Sequence, residues 1–198
     1  SNDQFIFKDD KYLIGKSDRN SDEFDTLLFV RRDIKEFCIP SNIKIIGSYS
    51  FENSTIEEIN IPPNLTNICD CAFSDCYNLR KVSIPTNSNL QTIGEYVFSN
   101  STIEDIYIPS SLTKISEGMF SNCKNLIKVE IPTDSNIQTI ERCAFAISNI
   151  EEFYFPKSLV ELKEGWCRNA TKLNKILVSP SNDQFIFKDD KYLIGKSD

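Results

Sequence analysis

Chemistry in this chain has to be built from carboxylates, amines and thiols, because its 198 residues include no histidine. Without imidazole there is no Ser-His-Asp or Cys-His activation of a nucleophile, no histidine general base and no histidine metal ligand. What remains includes adjacent acid pairs at Glu57-Glu58, Glu104-Asp105 and Glu151-Glu152, and seven cysteines at positions 38, 69, 71, 76, 123, 143 and 167. Adjacent carboxylates can divide acid-base work or hold a hard cation. The cysteines make no paired CxxC motif: Cys69 and Cys71 form an isolated CxC, and an odd number leaves at least one thiol unpaired in a monomer. Four Asn-x-Ser/Thr sequons, at Asn53, Asn64, Asn100 and Asn169, add candidate glycosylation positions. Of these, Asn53, Asn100 and Asn169 lie in turns leading into a strand, where exposure is expected.

Charge narrows the partners further. A formal net charge of −7 and a pI near 4.8 argue against nucleic acid, whose binders need clustered Lys and Arg to displace counterions. No run resembles a membrane span or a secretory apolar segment, so any anchor or export signal is expected outside this sequence. No phosphate-binding loop or nucleophile-base set is present, so no cofactor and no enzymatic activity are expected.

The elements that must position these residues are set by an internal repeat. A segment of the form apolar-x-x-apolar-x-apolar starts at Ile34, Ile56, Leu79, Ile103, Leu126, Ile150 and Leu173, with spacings of 22, 23, 24, 23, 24 and 23. Proline follows six of the seven, at 40, 62, 85, 109, 132 and 156, where its missing N–H ends a strand. Between these segments a second signature recurs, as in Leu112-Ile115-Phe120 and Ile137-Ile140-Phe145; the last unit carries Cys167 in place of Phe, after Trp166. The first half of each unit alternates like a half-buried strand, and the second has the looser spacing of a helical turn. A unit this short cannot bury its apolar stripe alone, so successive units must stack. The expected fold is a repeat solenoid of about seven units over 34–180, with a parallel sheet on a concave face and short helical or 3-10 turns on the convex face. Residues 1–33 form a hairpin and an irregular segment with a strand-like run from Thr26 to Val30. Residues 181–198 repeat residues 1–18 without one substitution. Either a longer protein repeats every 180 residues or the end was duplicated by engineering.

In this frame the candidate chemistry becomes structural. The acid pairs occupy the second and third strand positions of alternate units, while Arg80-Lys81, Lys128 and Lys175 occupy them in the units between. In a parallel, in-register sheet that alternation sets acid beside base, each pair worth roughly 0.2–1 kcal/mol. Cys76 and Cys123 are equivalent positions two units apart, so their Cα atoms should lie about 10 Å apart, beyond the roughly 7 Å reach of a disulfide. Small buried thiols are the expected reading, with Cys38 on the concave side the reactive exception. The fifth strand position points away from the core and is free of packing demands. It reads Cys38, Asn60, Ser83, Tyr107, Glu130, Tyr154 and Leu177. Two tyrosines flanking a carboxylate, with a leucine beyond, have the composition of a binding hot spot.

The motifs IPPNLTNICDCAFSDCYNLRKVSIP (61–85) and IPSSLTKISEGMFSNCKNLIKVEIP (108–132) resemble the BspA-like class of leucine-rich repeats over roughly 34–180. That resemblance implies a cell-surface or extracellular location, and a non-enzymatic protein- or glycan-binding module of an adhesin or antigen that uses its concave face on a host or neighbouring cell. It names no ligand. The alternative is a spacer in a long tandem-repeat surface protein, with no ligand of its own. The duplicated ends also suggest head-to-tail self-association, since one end is made to follow the other.

Overall fold

The computed structural model describes residues 4–188 and 192–195. The chain begins with β1 (Phe5–Lys8), β2 (Tyr12–Gly15) and β3 (Thr26–Val30). It then alternates two-residue and longer strands: β4 (Ile45–Ile46), β5 (Glu58–Asn60), β6 (Asn67–Ile68), β7 (Lys81–Ser83), β8 (Thr92–Ile93) and β9 (Asp105–Tyr107). The same rhythm continues through β10 (Lys114–Ile115), β11 (Lys128–Glu130), β12 (Thr139–Ile140), β13 (Glu152–Phe155), β14 (Glu161–Leu162) and β15 (Lys175–Val178). A closing hairpin, β16 (Phe185–Lys188) and β17 (Tyr192–Gly195), repeats β1 and β2.

Two parallel ladders result, and the molecule is a β-solenoid. The longer strands β5, β7, β9 and β11 pair in sequence, as do β13 and β15, and the apolar positions fall in register: Ile59 opposite Val82, Ile106 opposite Val129, Phe153 opposite Ile176. The short strands form the second ladder, β3-β4-β6-β8 and β10-β12-β14, with Ile46 opposite Ile68 and Ile68 opposite Ile93. The run from Thr26 to Val30 thus joins the array as the layer before β4, with Leu27 opposite Ile46 and fully buried.

No helix occurs among the described residues, and the expected helical or 3-10 turns on the second half of each unit are corrected to short strands and turns. The cause is visible in the backbone. Two residues after and two before each turn phenylalanine, the chain is left-handed: Tyr49 and Asn53 around Phe51, Cys71 and Asp75 around Phe73, Tyr96 and Asn100 around Phe98, Cys143 and Ile147 around Phe145. A right-handed helix cannot run through such residues, since each costs an L-residue about 1–2 kcal/mol. The backbone N–H groups instead point along the solenoid to the next unit, Phe51 to the Ala72 carbonyl and Phe120 to that of Ala144, both 2.8 Å.

The core is one continuous cluster running the length of the array. At its centre Phe51, Phe73, Phe98, Phe120 and Phe145 stack with centroids 4.6 to 5.6 Å apart and planes within 18° of parallel. All five are fully buried. The stack stops at each end on edge-on rings, Phe37 and then Tyr12 on one side and Trp166 on the other. Trp166 closes the stack from the position before Cys167, which stands at the usual aromatic position.

Candidate functional site

The fifth strand position lies on the solvent side of the long strands, over the two sheets β5-β7-β9-β11 and β13-β15. Asn60 lies opposite Ser83, Tyr107 opposite Glu130, and Tyr154 opposite Leu177, on six successive long strands. Asn60, Glu130 and Leu177 are exposed; Ser83, Tyr107 and Tyr154 are half-buried, and both tyrosines pack against the core cluster. Leu177 keeps 43% of its surface exposed, large for a leucine on a sheet. Tyr96 gives its hydroxyl to Glu117 at 2.9 Å and Tyr77 gives its own to Asp75 at 3.0 Å. Among the described residues the hydroxyls of Tyr107 and Tyr154 make no such bond. Glu130 accepts from Lys128 of its own strand at 3.4 Å, an exposed pair worth little to stability.

The neighbouring charge columns are mostly alternating. Glu58, Lys81, Asp105 and Lys128 stand in one register line, and Glu152 pairs with Lys175 at 2.9 Å. Glu57 sits between Arg80 at 3.0 Å and Lys35 at 3.8 Å. The alternation fails at one place, where Glu36 bridges to Glu58 with no base between them. Lys35, Glu36, Cys38, Glu57, Glu58 and Asn60 line a shallow depression there. Cys38 is exposed on that wall. Among the described residues no group of three acidic, cysteine or histidine side chains is placed to hold a metal.

Two of the cysteines pack against the middle residues of two of the sequons. Cys76 donates its thiol to the Phe51 carbonyl at 3.1 Å and lies 3.4 Å from the Ser54 hydroxyl; Cys123 repeats both contacts with Phe98, at 3.0 Å, and Ser101. Burial pushes the Cys123 thiol up to about 12 and raises that of Cys76. Neither ionises at neutral pH, so neither is a nucleophile. Ser54 and Ser101 are the middle residues of the sequons at Asn53 and Asn100, and the following Thr55 and Thr102 donate to the carbonyls of Arg32 and Leu79, both at 3.1 Å. Asn53, Asn100 and Asn169 all hold left-handed φ, near 56 to 60°. Asn100 also donates to Asp75 at 2.7 Å and accepts from Asn122. Each residue of the first two triplets thus has a place in the packing. The sequence does carry the sign of this: the position two after each turn aromatic reads Asn53, Asp75, Asn100, Asn122, Ile147, Asn169, and Asn and Asp are the side chains that best tolerate the left-handed region.

With this geometry in place, comparison with known proteins gives a consistent result. The sequence profile of the BspA type leucine rich repeat region (6 copies) matches residues 22–133 and 86–192. The chain belongs to the BspA-type leucine-rich-repeat family. The structure of the pneumococcal vaccine antigen PcpA superposes on 98% of this BspA-type array with a TM-score of 0.79 at 23% identity. A leucine rich cell surface protein from Faecalibacterium prausnitzii A2-165 covers 98% of it with a TM-score of 0.62 at 20% identity. At those identities the likeness establishes the fold. The array spans about half of each of those chains, 54% and 56%. No curated protein sequence matches it. No helix among the described residues is long and apolar enough to cross a membrane.

Proposed function

We propose that this array is a non-catalytic binding module of a cell-surface protein, and that it engages a protein or glycan through the solvent side of its long-strand ladder. The observation that carries the reading is the fifth strand column. Alternate positions on β5 to β13 are buried, whereas this column is exposed or half-buried, and its later half presents Tyr107, Glu130, Tyr154 and Leu177 on consecutive long strands. Paired strands lie about 4.8 Å apart, so Tyr107 with Glu130 and Tyr154 with Leu177 make two close pairs on successive layers of the array. Tyrosines supply large contact area at low entropic cost and, with unclaimed hydroxyls, a donor for either peptide or sugar. A surface location is supported by the family and by the two superposable structures, one a vaccine antigen and one a cell surface protein.

A spacer is the second reading, favoured by the unchanged repetition of SNDQFIFKDDKYLIGKSD at both ends. The two are separated by presenting the purified chain to a glycan array and to a panel of extracellular-matrix proteins. A binding module gives at least one saturable partner. A chain that gives none, at concentrations where it remains folded, is a spacer.

A further inference from the structure

The same 18 residues occur twice in this chain, and the two copies have opposite faces covered. In the first copy, β1 and β2 align Phe5 with Gly15, Ile6 with Ile14, Phe7 with Leu13 and Lys8 with Tyr12. One face of that hairpin therefore carries Ile6, Tyr12 and Ile14, and the other carries Phe5, Phe7 and Leu13. The Ile6 face is turned onto the array that follows it: Ile14 is buried, Tyr12 meets Phe37 edge-on at 5.2 Å, and Ile6 packs against the core cluster. On the Phe5 face Leu13 is half-buried, but the two phenylalanines are bare, with Phe5 48% and Phe7 51% exposed.

The second copy reverses this. Phe185, the counterpart of Phe5, is half-buried and meets Phe155 edge-on at 5.5 Å, on the end of the array that precedes it. Asn182 secures that seat by donating to the carbonyls of Pro156 at 2.8 Å and Leu159 at 2.9 Å. Ile186, the counterpart of Ile6, is now the open residue, 49% exposed.

We propose that the hairpin is a two-faced coupling layer: its Phe face takes the C-terminal end of one copy of the array, the Phe155 layer, and its Ile face takes the N-terminal end of the next copy, the β3 layer. Each copy in this chain shows one half of that joint. Its occupant on the bare Phe5 face is a preceding copy of this same sequence, because that is what covers the identical residues at 185. Joining two copies through one hairpin would bury Phe185 and Ile186 together and make the two arrays a single stack. Two separate chains of 198 residues already carry a hairpin on each end. They can join in this register only if one hairpin leaves, so covalent tandem continuation is the favoured form of the head-to-tail contact.

The test is a two-period chain, residues 1–180 followed by residues 1–198, in which the middle hairpin has an array on both sides. Because the urea m-value scales with the surface exposed in one cooperative transition, the two-period chain is expected to unfold in one transition with an m-value close to twice that of the single chain. Phe185→Asp in its middle hairpin should return the m-value to that of the single chain, whereas Phe5→Asp at the outer end should leave it doubled. Phe185→Leu, which keeps an apolar contact, is the folding control and should stay doubled. Two separate transitions, or an m-value unchanged from the single chain, would overturn the proposal, as would a doubled value that persists in a Phe185→Asp chain with native circular dichroism.

Discussion

Replacing Asn100 by Ala and by Gly separates backbone conformation from side-chain bonding at the centre of the array. Asn100 holds φ at 60°, and its side chain links Asp75 to Asn122. Either substitution removes both links, and at about 1 kcal/mol each the loss is roughly 2 kcal/mol, since the partners are half-buried and regain only part of their hydration. Alanine additionally meets the left-handed penalty of about 1–2 kcal/mol, offset in part by the roughly 0.4–1 kcal/mol by which glycine's freer unfolded chain disfavours folding. The expected order is native, then Gly lower by about 2 kcal/mol, then Ala lower by about 3 kcal/mol. Urea unfolding of protein made without glycosylation reads the order directly, with the m-value held constant. If Ala proves as stable as Gly, the left-handed backbone is not what places asparagine here, and the structural explanation of the sequon at Asn100 fails.

Three further outcomes follow from the same geometry. Gly118 and Gly165 are both left-handed, but a Cβ at Gly118 would enter the Tyr96 ring, whereas at Gly165 its nearest neighbour lies 3.8 Å away; thermal melts should show Gly118→Ala lowering stability by about 1–3 kcal/mol more than Gly165→Ala. The Cys123 thiol titrates near 12 in the folded chain against an ordinary 9.0, so the unfolded state releases its proton first as pH rises; the stability this represents is complete below 9 and is lost between about 9 and 12. Denaturation at graded alkaline pH should therefore show a slope to which Cys123 contributes up to about 1.4 kcal/mol per pH unit beside the other raised thiols and phenols, so that Cys123→Ala lowers it by about that much, and an unreduced slope would assign it elsewhere. Glu57→Gln removes the exposed pairs to Arg80 and Lys35, and should cost no more than about 1 kcal/mol, vanishing at high salt; a loss of several kcal/mol would mean these charges are packed rather than solvated.

Much of the fold is legible in the sequence because a parallel stack repeats its demands. Leu or Ile at the first strand position and alternating apolar residues after it specify one register, and residues such as Ile59 and Val82 meet as that register requires. The second half of each unit is less legible. The spacing of Leu112, Ile115 and Phe120 suits a helical turn as well as it suits a short strand and a corner; only the left-handed residues around Phe120, Gly118 and Asn122, decide between them. The fifth column can be read out because it follows from period-2 alternation, but how deeply Tyr107 and Tyr154 sink against the core cannot. The approach of Glu36 to Glu58 lies beyond the alternating charge pattern because Ile34 begins a unit with no charged neighbour of opposite sign in that line. The two faces of the duplicated hairpin are beyond any sequence reading, since identical residues occupy different surroundings.

Binding through the long-strand face is tested most directly by one double variant, Tyr107→Ala with Tyr154→Ala, measured for both affinity and stability against whichever glycan or matrix protein the native chain binds. The hot-spot role predicts at least a tenfold loss of affinity, with stability lowered by about 2–3 kcal/mol, because each half-buried ring packed on the core gives up about 1–1.5 kcal/mol of apolar burial. Tyr77→Ala, at a turn where the ring is 61% exposed, should leave affinity unchanged. A folded Tyr107→Ala/Tyr154→Ala chain that binds as tightly as the native one would contradict the proposal that this face is the binding surface.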